Sequence, residues 1–402
     1  MQISRKYFKT TLGGLSFILL FSLFPFYHDL VARGMVPAFF GGWFGPWAVI
    51  VLCLLLIPTT NVILEMLLLK NVFVAIFAAT ILYLFLVISC NLAFATNAYL
   101  SVSVMQSVST VFLWLTLVSL AIFLPIESNG LRMAVWSFFF FSLLFLIKFI
   151  LETGSVMYIS ASLFSDEGVA TYQGFARSAL AMVFFLLACS QNLSVRAFLF
   201  FSGAFVLFVL AARSEFVAFL FSAIVFEFLR SRLSIGYSIF WALLSSGIIL
   251  TTIFFWDKLL RSRHGELLDL SSSRSWDLRT FGLHRAMQTI TENPFLGSFG
   301  SHILDNGESG LYAHNILSAW ANYGLFGFLF VFLLCIWATA GSAAAVRRFN
   351  GELAIANYSF LFNFCVLFLL LISKSIFWIV PGLAWGLYIS LEFHLLRKSG
   401  FS

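Results

Sequence analysis

The chain has 402 residues, of which 61% are hydrophobic and 10% charged, with 52 phenylalanines and a formal net charge of +6. Soluble domains are roughly 45–50% apolar and about 25% charged, so a soluble globular fold is excluded and a polytopic membrane protein is expected. The positive charge is spread along membrane flanks rather than gathered in a dense run, which excludes nucleic acid as a partner.

Crossing the hydrocarbon core of a bilayer takes about 20 apolar residues. On that rule the expected spans lie near 12–27, 46–64, 71–91, 102–125, 133–151, 175–190, 196–212, 214–229, 233–255, 325–346, 353–373 and 376–395. The first follows Arg5, Lys6 and Lys9 and lacks a small-residue cleavage site before His28-Asp29, so it reads as a retained span. With the N-terminus inside, the inward ends carry basic residues, among them Lys70, Arg132, Arg196, Arg230, Arg347 and Arg397, as the positive-inside rule requires. The expected fold class is an all-α polytopic integral membrane protein of about 12 transmembrane helices with one large outer loop containing short helices. Its organisation is a bundle of about nine spans over 1–255, an outer loop with a loop helix and a His-Asn helix over 256–324, and three C-terminal spans with an inward tail over 325–402. The five cysteines, at 53, 90, 189, 335 and 365, lie in apolar surroundings without close pairing, so neither a disulfide framework nor a metal site is expected.

Outward basic residues depart from the inward rule and mark candidates for chemistry. Arg177, in Gly174-Phe175-Ala176-Arg177-Ser178, enters the sixth expected span from the outer side. Arg213 lies midway between the inward Arg196 and Arg230 and so tops an outer helical hairpin. A local pair with Glu215, or an interfacial anchor, would account for Arg213 equally well. Lys374, in Ser373-Lys374-Ser375, also faces outward and reads as an anchor.

The loop 256–313 holds 13 charged residues together with His264, His284 and His302. Ser275 can cap a helix beginning at Trp276, with Asp277 in its first turn, and Asn293-Pro294 and Gly297 end it. Trp276, Leu283, Met287 and Ile290 form an apolar stripe at helical spacing with Arg279 on it, while Arg274 and Arg285 project from the other side. Arg279 is thus expected to face the membrane bundle, where a guanidinium needs an anion. A substrate phosphate or diphosphate would match its planar fork, and Asp166 or Glu167 would serve without any function.

From His314 to the inward Arg347 there are 32 intervening residues, about 48 Å as helix against a bilayer core of about 30 Å. The segment is therefore expected to split, with His314 to about Tyr323 as a separate outer helix ending at Gly324 and the span beginning near Leu325. This holds His314 and Asn315 above the hydrocarbon, on the same side as Arg177, Arg213 and Arg279. A lone interfacial histidine is more often an anchor than a catalyst; three arginines on its side favour chemistry.

In three places these residues resemble the O-antigen ligase and O-antigen polymerase superfamily, membrane glycosyltransferases that use undecaprenyl-diphosphate-linked sugars. The patterns are Ala212-Arg213-Ser214 at an outer hairpin, Arg279 fifteen residues ahead of Pro294-Phe295-Leu296-Gly297 with a helix between, and His314-Asn315 opening a helix that runs to Gly324-Leu325-Phe326-Gly327. The resemblance covers about residues 175–345. The resemblance implies a bacterial inner-membrane protein whose large loop and active site face the periplasm. It implies that Arg213 and Arg279, with Arg177 in addition, bind the substrate diphosphate, that His314 is catalytic and activates the acceptor hydroxyl, and that Asn315 supports it. It further implies no cofactor and no metal, a lipid-linked glycan donor, an acceptor that is either a second lipid-linked glycan or lipid A-core, and a chain-length regulator as a candidate partner. The expected function is polymerisation of repeat units in O-antigen or exopolysaccharide biosynthesis, with ligation to lipid A-core as the alternative.

A transporter or flippase is the rival from another class. It requires charged or Gly/Pro-broken segments at the midplane and related halves, whereas the deep charges here are Lys148 and Glu227 near span ends and the special residues gather on one side.

Overall fold

The structure, a computed structural model, describes residues 2–32, 35–37, 43–94, 100–153, 172–231, 274–303 and 312–398. Among the described residues the regular elements are helices. α1 (Gln2–Phe17) passes through a π turn (Ile18–Ser22) into α2 (Phe24–Ala32). There follow α3 (Phe44–Leu68), α4 (Val72–Phe94), α5 (Leu100–Ile122), α6 (Asn129–Thr153), α7 (Tyr172–Cys189), α8 (Leu193–Val209) and α9 (Arg213–Ser231). The C-terminal part contributes α10 (Arg274–Glu292), α11 (Leu317–Arg348), α12 (Ala354–Ile372) and α13 (Val380–Lys398).

Among the described residues seven segments are long and apolar enough to cross a membrane: Phe8–Val31, Phe44–Leu68, Val72–Phe94, Leu100–Ile122, Asn129–Glu152, Leu317–Arg348 and Ala354–Ile372. α7 and α8 are shorter apolar helices. The chain is thus a membrane protein, all-helical among the described residues. The ninth expected span, 233–255, lies outside the described residues, as do the first part of the expected loop, 256–273, and both Asp166 and Glu167.

The outer helices show why they suit lipid. α3 exposes Ile57, Leu64 and Leu68, α4 exposes Leu82 and Leu86, and α6 exposes Phe141 and Leu151, while each buries an apolar stripe on its other side. A helix apolar all round is stable only where both faces meet hydrocarbon. α7 and α12 form the interior, buried along most of their length, with α12 packed on α7, α9, α11 and α13.

Close backbone approach sets the packing of α5 against α13. A Cβ on Gly382 would lie 2.6 Å from Trp114 Cα, and one on Gly386 2.7 Å from Val118 Cα, so only glycine fits at either place. Small residues four apart replace the hydrophobic drive that lipid removes between membrane helices. Trp114 completes the contact by donating to the Trp378 carbonyl at 2.9 Å. At the other end of the bundle Glu227, expected as a deep charge, takes a bidentate bond from Arg196 at 2.7 and 3.2 Å that ties α8 to α9.

Two expected spans differ in extent. The first, placed at 12–27, continues to Ala32 through the π turn, in which Leu23 N–H bonds to the Ile18 carbonyl. Pro25 has no N–H to offer Phe21, and the wider turn shifts the helix register just before it. The last, placed at 376–395, starts instead at Val380, because Pro381 suits the first turn of a helix and 375–379 form turns ahead of it.

Candidate functional site

The segment Tyr312–Ile316 leads into α11 and carries His314. Asn315 holds this lead in place: its Oδ1 accepts the Leu317 N–H at 3.0 Å, and its carbonyl accepts the Ser318 N–H at 3.1 Å and the Ser318 hydroxyl at 2.7 Å. Asparagine is favoured here because its side chain satisfies a helix N–H that has no intrahelical partner. The Ser318 oxygen in turn accepts the Ile376 N–H at 2.8 Å, joining the lead to the connection between α12 and α13.

α11 breaks where expected. Gly324 has φ 73° and ψ −176°, and a Cβ there would stand 2.1 Å from the Phe295 carbonyl oxygen. The break frees backbone groups, and three of them find partners: Tyr83 donates to the Tyr323 carbonyl at 2.6 Å, Leu325 N–H to the Phe295 carbonyl at 3.1 Å, and Ser298 N–H to the Ala321 carbonyl at 2.7 Å. Trp320 donates to the Pro294 carbonyl at 2.7 Å. The Pro294–Ser298 turn after α10 is therefore the plug of the α11 break, which accounts physically for two of the sequence patterns occurring together.

α10 forms over the expected residues, but its buried face is rotated. Gly282, Ala286, Thr289 and Ile290 are buried, whereas Leu283 and Met287 are 36% and 47% exposed. Ala286 and Ile290 pack on Ala313 and Ala321, with Leu317 and Trp320 alongside. Small side chains on both helices admit a closer approach than Leu283 and Met287 would, and that contact prevails over the larger apolar stripe. Arg279 still lies on the buried face, at helical spacing from Gly282 and Ala286, and is half-buried. Arg285 does not project freely: it is half-buried, reaches the Ile303 carbonyl at 3.5 Å, and its charge acts on His302. The helix begins at Arg274, two residues ahead of the expected start, so Ser275 lies within it instead of capping it; the side chains of Arg274, Ser275, Trp276 and Asp277 lie outside the described residues.

Arg213 opens α9 directly after the tight turn at Leu210–Ala212, the hairpin tip expected from the sequence, and is half-buried. Two residues on, Glu215 is buried in the first turn of α9, where the helix dipole favours an anion. Its carboxylate lies 2.5 Å from the Lys374 ammonium and accepts the Ser214 hydroxyl at 2.9 Å. Arg177, in the first turns of α7, places its guanidinium 3.9 Å from the centre of the Phe44 ring, and its Nε is buried with no hydrogen-bond partner among the described residues. The field of Glu215 acts on Arg177 as well.

His314 is half-buried, with its ring 5.0 Å from Tyr312. Burial, then the charges of Arg279 and Lys374, pull its pKa down to about 4. Both cations are therefore close enough to act on the imidazole, which is neutral at physiological pH. The charges of Arg279 and Lys374 thus act on His314, and Glu215, in contact with Lys374, also acts on Arg177 through its field.

Sequence reasoning missed three members of this neighbourhood. Lys374, expected as an interfacial anchor, is instead drawn in, its side chain 12% exposed and also 5.8 Å from the Trp378 ring. Glu215 was noted only as a local neighbour of Arg213. His302 is a buried pin: Nδ1 meets Asn322 Oδ1 at 2.8 Å, Nε2 meets the Gln106 amide at 2.7 Å, and its ring lies 4.7 Å from Phe377. Burial outweighs the Asn322 bond and, with Arg285, takes its pKa down to about 4. A signal for Lys374 existed, since it shares the outward side with the arginines; none existed for the His302 contacts, which join three distant segments.

Cations acting on a neutral imidazole suit one kind of chemistry, in which an anion is bound or develops while a proton is accepted nearby. A scan of protein-family models and a search of curated proteins returned no match to this chain.

Proposed function

We propose that the protein is a polysaccharide-polymerising glycosyltransferase that joins undecaprenyl-diphosphate-linked oligosaccharide repeat units at the periplasmic face of the bacterial inner membrane. The observation that carries the reading is His314, half-buried in the lead into α11 beside Tyr312 and within the fields of the cations Arg279 and Lys374. In this reading the chain has 12 spans, of which the segment 233–255 is one, and 256–313 is the periplasmic loop.

The acceptor hydroxyl attacks the anomeric carbon of the donor sugar as the bond from that carbon to the diphosphate oxygen breaks. The hydroxyl proton passes to His314, and the electron pair of the broken bond stays on the diphosphate. Arg279, Arg213 and Arg177 bind that diphosphate and neutralise the charge it gains, the contribution that is usually largest in such a site. Guanidinium forks match phosphate oxygens in pairs, which a point charge does not. Asn315 acts on His314 only through the backbone it caps.

The test is reconstitution of the full chain in vesicles with lipid-linked repeat units. A ladder of lengthening glycans supports the proposal. Transfer only to added lipid A-core would reassign the protein as a ligase. Movement of intact lipid-linked units across the bilayer, with no bond formed, would make it a flippase.

A further inference from the structure

We propose that Glu215 is an internal counterion which the donor diphosphate displaces, and that the Lys374 ammonium it releases is a further anion-binding group of the site. The inference rests on the glycosyltransferase reading above.

The argument starts from the contact itself. Lys374 comes from the connection between α12 and α13, Glu215 from the first turn of α9, and their side chains are 12% and 5% exposed. A buried charge without a partner is strongly unfavourable, so a lysine in this position needs an anion at all times. Glu215 supplies one at 2.5 Å. The connection that carries Lys374 is itself joined to the lead of α11, where Ile376 N–H bonds to the Ser318 oxygen, and the ammonium's charge acts on His314. An anion brought beside His314 therefore also feels the Lys374 charge.

A carboxylate oxygen and a phosphate oxygen make the same charge-assisted bond to an ammonium, and a diphosphate offers more charge and more oxygens than Glu215 does. Lysine is also suited to exchange, since its point charge sits on a flexible four-carbon stem. Arg177 strengthens the case. Its Nε is buried without a partner among the described residues, and it feels the field of the same carboxylate, so an anion entering here meets an unfilled donor. The resting pair keeps the site compensated until the donor arrives, and it lowers donor affinity by the fraction of time that Lys374 is held.

The experiment measures binding of geranylgeranyl diphosphate to the purified full chain in detergent. Glu215→Gln removes the competing charge and is expected to tighten binding by about tenfold, while Lys374→Gln weakens it. In the double variant the gain from Glu215→Gln should vanish, since it acts through Lys374. Equal or weaker binding by Glu215→Gln, or a gain that persists without Lys374, overturns the inference. Should Glu215→Gln not fold, Glu215→Asp withdraws the carboxylate by one methylene, and tighter binding is again required. If neither wild type nor variants bind any polyprenyl diphosphate, the glycosyltransferase reading itself fails and this inference with it.

Discussion

The Lys374 ammonium lies 2.5 Å from a Glu215 carboxylate oxygen, and its charge adds to burial and to Arg279 in lowering the His314 pKa. A lysine that the sequence places in a short connection thus couples the tip of one helical hairpin to the lead of α11. The consequences for the proposed reaction can be measured.

His314 accepts the acceptor's proton in this scheme, while the arginines hold the donor. His314→Ala is expected to lower transfer by about 10²–10⁴-fold, the usual contribution of a general base, with donor affinity kept. Single-turnover transfer and direct donor binding, measured on the same preparation, separate the two effects. Near-normal transfer in this variant would return His314 to the role of interfacial anchor.

The pH profile carries a specific asymmetry. In the donor-free protein burial and two cations hold the His314 pKa down to about 4. A bound diphosphate favours the imidazolium and raises that value. The acid limb of kcat/KM, which reports the free protein, should therefore lie near pH 4, and the acid limb of kcat at higher pH. Stability follows the same groups. His302 and His314 both titrate at about 4 when folded and at about 6.5 when unfolded, so below that value the unfolded chain binds more protons. Stability is then full above about pH 6.5 and declines as pH falls towards 4, a trend that thermal melts in detergent will register.

Arg279 and Arg285 lie on one helix and should fail in different ways. Arg279→Ala loses a charge-assisted contact with the donor and is expected to weaken binding by about 1.5–3 kcal/mol, roughly 10- to 150-fold in Kd. Arg285 instead faces Ile303 and His302, so Arg285→Ala should lower Tm and leave donor Kd unchanged. A matching loss of donor affinity at both positions would show that the two faces of α10 are not distinct.

Gly324 is irreplaceable on two grounds. Its φ of 73° is left-handed, and a Cβ would meet the Phe295 carbonyl oxygen at 2.1 Å. Gly324→Ala is expected to destabilise the protein by at least about 1–3 kcal/mol and to shift His314 relative to Arg279, lowering Tm and transfer together. A variant with unchanged Tm would mean that α11 tolerates a continuous helix here.

The membrane arrangement is open to direct test. A reporter fused after residue 300 should read periplasmic, and one fused after residue 398 cytoplasmic, as the inward basic residues require. Opposite signals would invert the site and exclude a periplasmic reaction.

Local and one-dimensional properties were legible in the sequence. Apolar length placed the helices, the excess of residues between His314 and Arg347 required a break, and Gly324 was the residue able to form it. The hairpin tip at Arg213 followed from the charges on either side. These features depend on chain length, hydropathy and backbone sterics, which each segment carries by itself. The pairing of Glu215 with Lys374, the pinning of His302 by Gln106 and Asn322, and the rotation of α10 onto Gly282 and Ala286 were decided by tertiary structure alone. Each depends on which side chains meet across helices, and in a chain so uniformly apolar the periodicity of one helix does not say which face its neighbours can approach most closely.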